Sequence, residues 1–293
     1  MIYREFGKCG FRVSVLGFGA GHIGGSDLDE KQAEAMLSGI LDLGINLVDT
    51  ARSYGLSEER IGRYLSNRRG EFILSSKGGY TYRQTADWSY EATMGSVEES
   101  LIRLKTDYID IYHLHSCDVD RLRENECIAA LEKAREQGKI RCVAYSGENE
   151  ALAFAIRSGR FDSIQCSVSL FDQASLERSI PESVGKGLGV IAKRPLGNAV
   201  WRYSSRPDGH GHVAYFDRWK AMQLETGGLP WHEMALRFTA FTPGVSTIIT
   251  GSADLTHLAE NTRCLDKGPL PSSMIESIRN SFLKRGNDWP GLI

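Results

Sequence analysis

Short apolar runs alternate with stretches of helical spacing along nearly the whole chain. VSVLGFG precedes EKQAEAMLSGILDLG, INLVDTA precedes SEERIGRYLSN, EFILSSKGG precedes YEATMGSVEESLIRL, and YIDIYHLH precedes NECIAALEKAREQGK. The alternation continues with IRCVAYSG and NEALAFAIRSG, FDSIQCSVSL and ASLERSIPESVGKG, LGVIAKRPLG with a long loop and PWHEMALRFTAF, and VSTIITGS and LTHLAENTRCL. The shorter runs are apolar at odd and even positions alike, as parallel strands covered on both faces must be. Gly44, Gly138, Gly159 and Gly187 stand just past helical runs, where a left-handed residue closes a helix. Eight strand-then-helix units follow one another with no Pro/Ser-rich linker. They predict an α/β chain folded as a (β/α)8 TIM barrel, a single domain over residues 1–293. Residues 2–13 precede the first unit and are expected to form a short N-terminal β-hairpin around GKCG that plugs the barrel floor. SSMIESIRNSFLKRG is expected to be an extra C-terminal helix.

Composition narrows the function classes. With 35 basic against 37 acidic residues the net charge is −2, and no basic block or acidic tail occurs. Bulk-charge binding to nucleic acid or to a membrane surface is therefore not expected. MIYREFGKCG lacks the apolar core of a signal peptide, and the apolar runs are too short to cross a bilayer. Six cysteines without a CxxC read as reduced thiols, so a cytoplasmic protein is expected.

Catalytic groups of such barrels gather at the C-terminal ends of the strands. The second strand ends at Asp49 in LVDTARSYG, with Tyr54 just beyond; the third ends at Lys77 and the fourth at His115. An ammonium beside a phenol favours the phenolate, so Lys77, held by Asp49, would help Tyr54 give a proton to a carbonyl oxygen. His115 would orient the carbonyl. Two rival patterns exist. GAGHIG, Gly19 to Gly24, fits GxGxxG after a strand, but GSDLDE separates it from the helix, whose N-cap is expected at Asp27 or Asp29. A flexible loop near the barrel mouth is the reading adopted. HLH places His113 and His115 on one strand face, as in a metal-dependent barrel hydrolase, yet the next strand ends, AYSGE and QCSVSL, carry no histidine. His210 and His212 are read as part of an exposed loop, and no metal site is expected.

LVDTARSYG, FILSSKGG and TDYIDIYHLH, in this order and spacing, resemble the aldo-keto reductases over nearly the whole chain. The resemblance implies hydride transfer between a nicotinamide cofactor, usually NADPH, and an aldehyde or ketone. It makes Tyr54 the general acid, tuned by Lys77 and Asp49, with His115 positioning substrate. It also implies cofactor contacts from Ser146 in YSGEN, where Gly147 replaces a common asparagine, and from Gln165 in SIQCSVS, whose amide suits a carboxamide. In IAKRPLG, with Leu196, Lys193 stands in place of an aromatic that stacks on the nicotinamide, and Arg194 in place of a serine. We read these two bases as pyrophosphate contacts. In TGSADLTHLAEN, Gly251 and Ser252 open a helix suited to an anion, Glu260 and Asn261 match residues near adenine, and His257 replaces a basic residue that clamps the 2′-phosphate. NADP(H) is the expected cofactor and NAD(H) the alternative. A cofactor-sensing regulatory subunit with little turnover shares the same resemblance. Trp88, Trp201 and Trp289, with Tyr203, are expected to line the substrate pocket, since aromatic walls suit small carbonyl compounds or sugar faces. Arg202, Arg206 and Arg218 in the long loop are expected to cover cofactor phosphates or to meet a partner subunit.

Overall fold

Phe6 explains the start of the chain. It lies between two short antiparallel strands, β1 (Tyr3–Glu5) and β2 (Arg12–Ser14), and is fully buried with Leu47, Ile111, Cys142, Ala144 and Ile191 at the base of the barrel. Gly7, at φ +52, turns the chain there, and a Cβ on it would lie 2.3 Å from the Gly189 nitrogen. The hairpin thus plugs the floor. A computed structural model describes residues 1–81 and 84–293. Tyr82 and Arg83, which belong to the expected pocket loop GYTYRQTADWSY, lie outside the described residues.

The units then follow in order: β3 (Leu16–Gly19), α1 (Glu30–Asp42), β4 (Leu47–Asp49), α2 (Ser57–Tyr64), β5 (Ile73–Gly78), α3 (Tyr90–Leu104) and β6 (Ile109–His115). After α4 (Val119–Glu124) and α5 (Glu126–Glu136) come β7 (Ile140–Ser146), α6 (Asn149–Ser158), β8 (Ser163–Ser167), α7 (Ser179–Lys186) and β9 (Gly189–Lys193). The chain finishes with α8 (His210–Met222), α9 (Trp231–Ala240), β10 (Thr247–Thr250), α10 (Leu255–Asp266) and α11 (Ser272–Arg285). Strands β3 to β10 are parallel, each beside the next, and β10 returns to β3, so eight strands close into a barrel. The expected barrel, hairpin and C-terminal helix are all present. Gly159 and Gly187 occupy left-handed helix caps at φ +69 and +74, and Asp29 caps α1 through Lys31 N–H.

Two elements differ from the sequence reading. A short helix, α4, precedes α5. The long loop after β9 is in large part helical: a 3-10 turn spans Gly197–Arg202, and α8 includes His212, so His212 does not sit in a loop. Tyr215, Phe216, Trp219 and Met222 recur on one helical face and pack into a secondary core with Phe171 and Phe282. The glycine-rich start, DGHGH, masks that period in the sequence. Among the described residues, no helix is long and apolar enough to cross a membrane.

Candidate functional site

Asp49 closes β4 and points inward, 2% exposed. Its Oδ2 lies 2.6 Å from Nζ of Lys77, which also donates to the Thr50 carbonyl at 2.7 Å. Lys77 is 1% exposed. Burial alone would strip its proton; the Asp49 carboxylate and the Tyr54 phenol outweigh that, and the ammonium is held above the usual lysine value. The other Asp49 oxygen accepts from Ser75 Oγ at 2.7 Å and from Gln165 Nε2 at 3.0 Å. Four of the expected residues meet here: the Lys77 ammonium sits 5.2 Å from the centre of the Tyr54 ring, and that ring meets His115 edge-on at 5.9 Å.

His115 ends β6 at the rim. Burial, then the nearby Lys77 and Lys193 charges, press its imidazole down to about 3, so the ring is neutral near pH 7. The sign of the linkage follows. An unfolded histidine binds its proton near 6.5, the folded one near 3, so this contribution to stability is full above about 6.5 and is lost as pH falls toward 3. His115→Gln is therefore expected to flatten the fall of melting temperature over that acidic window, which thermal denaturation across a pH series checks. His113, two residues earlier and fully buried, meets Ser75 Oγ through Nε2 at 3.2 Å. Among the described residues, no group of three or more His, Cys, Asp or Glu side chains is arranged to hold a metal.

The glycines of GAGHIG have a local purpose. A Cβ on Gly24 would lie 2.0 Å from the Tyr54 carbonyl oxygen, and one on Gly21 would touch the Tyr54 ring at 3.7 Å. The loop after β3 can approach the Tyr54 loop so closely because Gly24 lacks a side chain, whereas a Cβ on Gly21 would make only an ordinary contact. The Ala20–Gly24 segment of the loop forms a 3-10 turn, and Arg60 donates to the carbonyls of Ile23, Gly25 and Leu28. Gly24→Ala is expected to cost roughly 1–3 kcal/mol by forcing the two loops apart. Chemical denaturation checks the cost; a variant as stable as the parent would contradict this packing.

A cavity of about 1100 Å³ opens over this cluster. It exceeds the ~300–1,000 Å³ of ordinary small-molecule pockets. Its lining includes Asp49, Tyr54, His115, Ser146, Gln165, Lys193, Arg194, Leu196, Gly251, Ser252, His257, Glu260 and Asn261, so the expected cofactor residues share one space. Ser146 donates to Gln165 Oε1 at 3.0 Å, which ties that amide to both Ser146 and Asp49. Ser252 Oγ lies 3.3 Å from His257 Nδ1, Asp254 caps α10, and Glu260 meets His232 at 3.3 Å. Arg194 is turned to the chain end, donating to Ser167 Oγ at 3.1 Å and to the Leu292 carbonyl at 2.6 Å.

The expected aromatic wall divides. Trp201 lines the cavity and stacks on Trp231 at 5.9 Å. Trp88 packs beside Gly79 and Tyr80, and Trp289 against Phe282 and Gly286; neither is among the described lining residues. Tyr203 meets His212 instead. Of the loop arginines, Arg202 lines the cavity, Arg206 pairs with Asp217, and Arg218 turns inward to the Pro290 carbonyl. Sequence reasoning passed over Ser75, Glu148 and His22, whose ring lines the cavity against Gly251. Ser75 stands two residues before Lys77 on the same inward face, so strand alternation carried the signal. Glu148 stands two residues after Ser146, a charge just past a strand end. Nothing local in the sequence marks His22.

Comparison with known proteins agrees with this fold. The family model described as the aldo/keto reductase family matches residues 15–281. The holo form of an aldo-keto reductase from Bacillus halodurans superposes with a TM-score of 0.83 at 29% identity, covering 96% of each chain. L-galactose dehydrogenase of Arabidopsis thaliana is 29% identical over 88% of this chain and 86% of its own. A probable voltage-gated potassium channel subunit beta of Oryza sativa subsp. japonica is 28% identical over 99% of this chain and 100% of its own. A matched span running from the first barrel strand to α11 leaves one conclusion: the chain belongs to the aldo/keto reductase family.

Proposed function

We propose that the protein is an NAD(P)H-dependent oxidoreductase that reduces an aldehyde or ketone, or oxidises the corresponding alcohol, by direct hydride transfer. The observation that carries this reading is the buried Lys77 ammonium, pinned between Asp49 and the Thr50 carbonyl and facing the Tyr54 ring. Family membership supports carbonyl oxidoreductase chemistry and a nicotinamide cofactor.

The residues present fit such a cofactor. The Ser146 hydroxyl and the Gln165 amide supply the mixed donor and acceptor set that a carboxamide needs. Lys193, Arg194 and Arg202 line the same cavity, as do Gly251, Ser252, His257, Glu260 and Asn261 before and within α10. When bound, the cofactor supplies the hydride. The Tyr54 hydroxyl then gives its proton to the carbonyl oxygen, and Lys77 stabilises the negative charge left on the phenol. Asp49 fixes Lys77. Neutral His115 retains one ring N–H to orient the carbonyl. Trp201 offers an apolar wall for an aldehyde, a ketone or a sugar face.

NADPH is our first choice and NADH the alternative, because His257 rather than a permanently charged side chain stands near Ser252. Fluorescence titration with each, followed by cofactor absorbance over a panel of aldehydes and ketones, tests the proposal. Binding of one form and turnover of at least one carbonyl support it; no binding of either overturns it. Similarity to the rice channel subunit favours a second reading, a cofactor-binding subunit. Tight binding with negligible turnover across the panel would select that one.

A further inference from the structure

The proton chemistry at Tyr54 leaves Lys193 without a task, and likewise the carboxylate it meets. Lys193 ends β9 with its side chain in the mouth cavity, Nζ 3.2 Å from Oε1 of Glu148. Glu148 stands at the start of α6, is 4% exposed, and accepts the Ser167 N–H at 2.7 Å through the same oxygen. The chain end covers it: a Cβ on Gly291 would lie 3.0 Å from Glu148 Oε2. The neighbouring cation, Arg194, is committed to Ser167 and Leu292. Glu148 is therefore the carboxylate that meets Lys193, and strand register carries Lys193 to the rim that holds His115: His115 pairs with Ser146, Ser146 with Gln165, and Ser167, two residues on, with Lys193.

A hydride donor and the Tyr54 proton donor must converge on one carbonyl, which places a nicotinamide ring at the Tyr54–His115 end of the cavity. The ring carries a positive charge when oxidised and none when reduced. A fixed charge beside it in a water-poor pocket separates the affinities of the two forms. We propose that Glu148 is a positioning residue that holds and neutralises Lys193 beside the nicotinamide, and so sets how strongly the protein prefers reduced over oxidised cofactor. The inference rests on the reading that a nicotinamide dinucleotide fills this cavity.

Equilibrium titration of the parent, Glu148→Gln, Lys193→Met and the double variant with NADPH and with NADP⁺ tests it. Glu148→Gln keeps the shape and removes the charge. The ratio of dissociation constants, oxidised over reduced, is expected to rise about ten-fold in this variant. In Lys193→Met it should fall below the parent value, and in the double variant it should return to within about three-fold of the parent. NAD⁺ and NADH should give the same shifts, because the charge that changes is on the ring and not on the 2′-phosphate. A purely structural role for Glu148 would weaken both forms alike. Binding of both forms with one constant ratio across all variants overturns the inference and leaves the cofactor reading intact. Failure of the parent to bind either form removes the cofactor reading and this inference with it.

Discussion

Tyr54→Phe is expected to cut carbonyl reduction by roughly 10²–10⁴-fold while leaving cofactor affinity within about two-fold of the parent. The substitution removes one oxygen and keeps the ring, so the edge-on contact with His115 and the fit against Gly21 and Gly24 persist. On the proposed mechanism, what disappears is the proton for the developing alkoxide. The Lys77 ammonium cannot replace it, since it is spent on Asp49 and the Thr50 carbonyl. Steady-state rates and cofactor titration on the same preparation separate the two effects. A variant that keeps near-normal kcat removes Tyr54 from the acid role, and one that loses cofactor binding makes the hydroxyl a binding group instead.

Lys77→Met should damage both stability and rate. It leaves the Asp49 carboxylate buried with only the neutral Ser75 and Gln165 donors. Breaking a buried pair from one side costs about 3–5 kcal/mol. The rate should fall by about 10²–10³-fold, because the charge that stabilises the ionised phenol is gone, and the pH profile of reduction should shift. Adding Asp49→Asn separates the two losses. The double variant should recover much of the stability, since no uncompensated charge remains, and none of the rate. Denaturation curves and pH profiles of the parent and both variants check this. An unchanged profile in Lys77→Met contradicts the tuning role, and full catalytic recovery in the double variant would make the pair merely structural.

Much of this molecule could be read from the chain because parallel barrels write their pattern locally. Strands such as ILSSKG and IDIYHLH are buried on both faces, so apolar residues stand at odd and even positions alike. Their ends, Lys77 and His115, reach one rim because every strand runs the same way. Gln165 and Ser146 were legible only through the family resemblance, and β7 and β8 place them in register. The unread features depend on contacts that sequence spacing does not carry. Arg194 is tied to Leu292, 98 residues away, and no local pattern announces that bond. Trp88 and Trp289 look like pocket walls by composition, yet each packs against its own loop or helix. Gly24 resembles a nucleotide-loop glycine, but its reason is the Tyr54 carbonyl pressed against it. Helix α8 was hidden by a glycine-rich start whose cost is offset by the secondary core beneath it.

On the proposed reading, one barrel mouth delivers a hydride and the Tyr54 proton to the same carbonyl. Cofactor deuterated at C4 of the nicotinamide, prepared as each of its two stereoisomers, tests this on a carbonyl substrate that the protein turns over. Mass spectrometry and NMR of the alcohol should find one deuterium on the carbinol carbon from a single stereoisomer, with no loss to solvent. An alcohol that carries solvent hydrogen at that carbon contradicts the account.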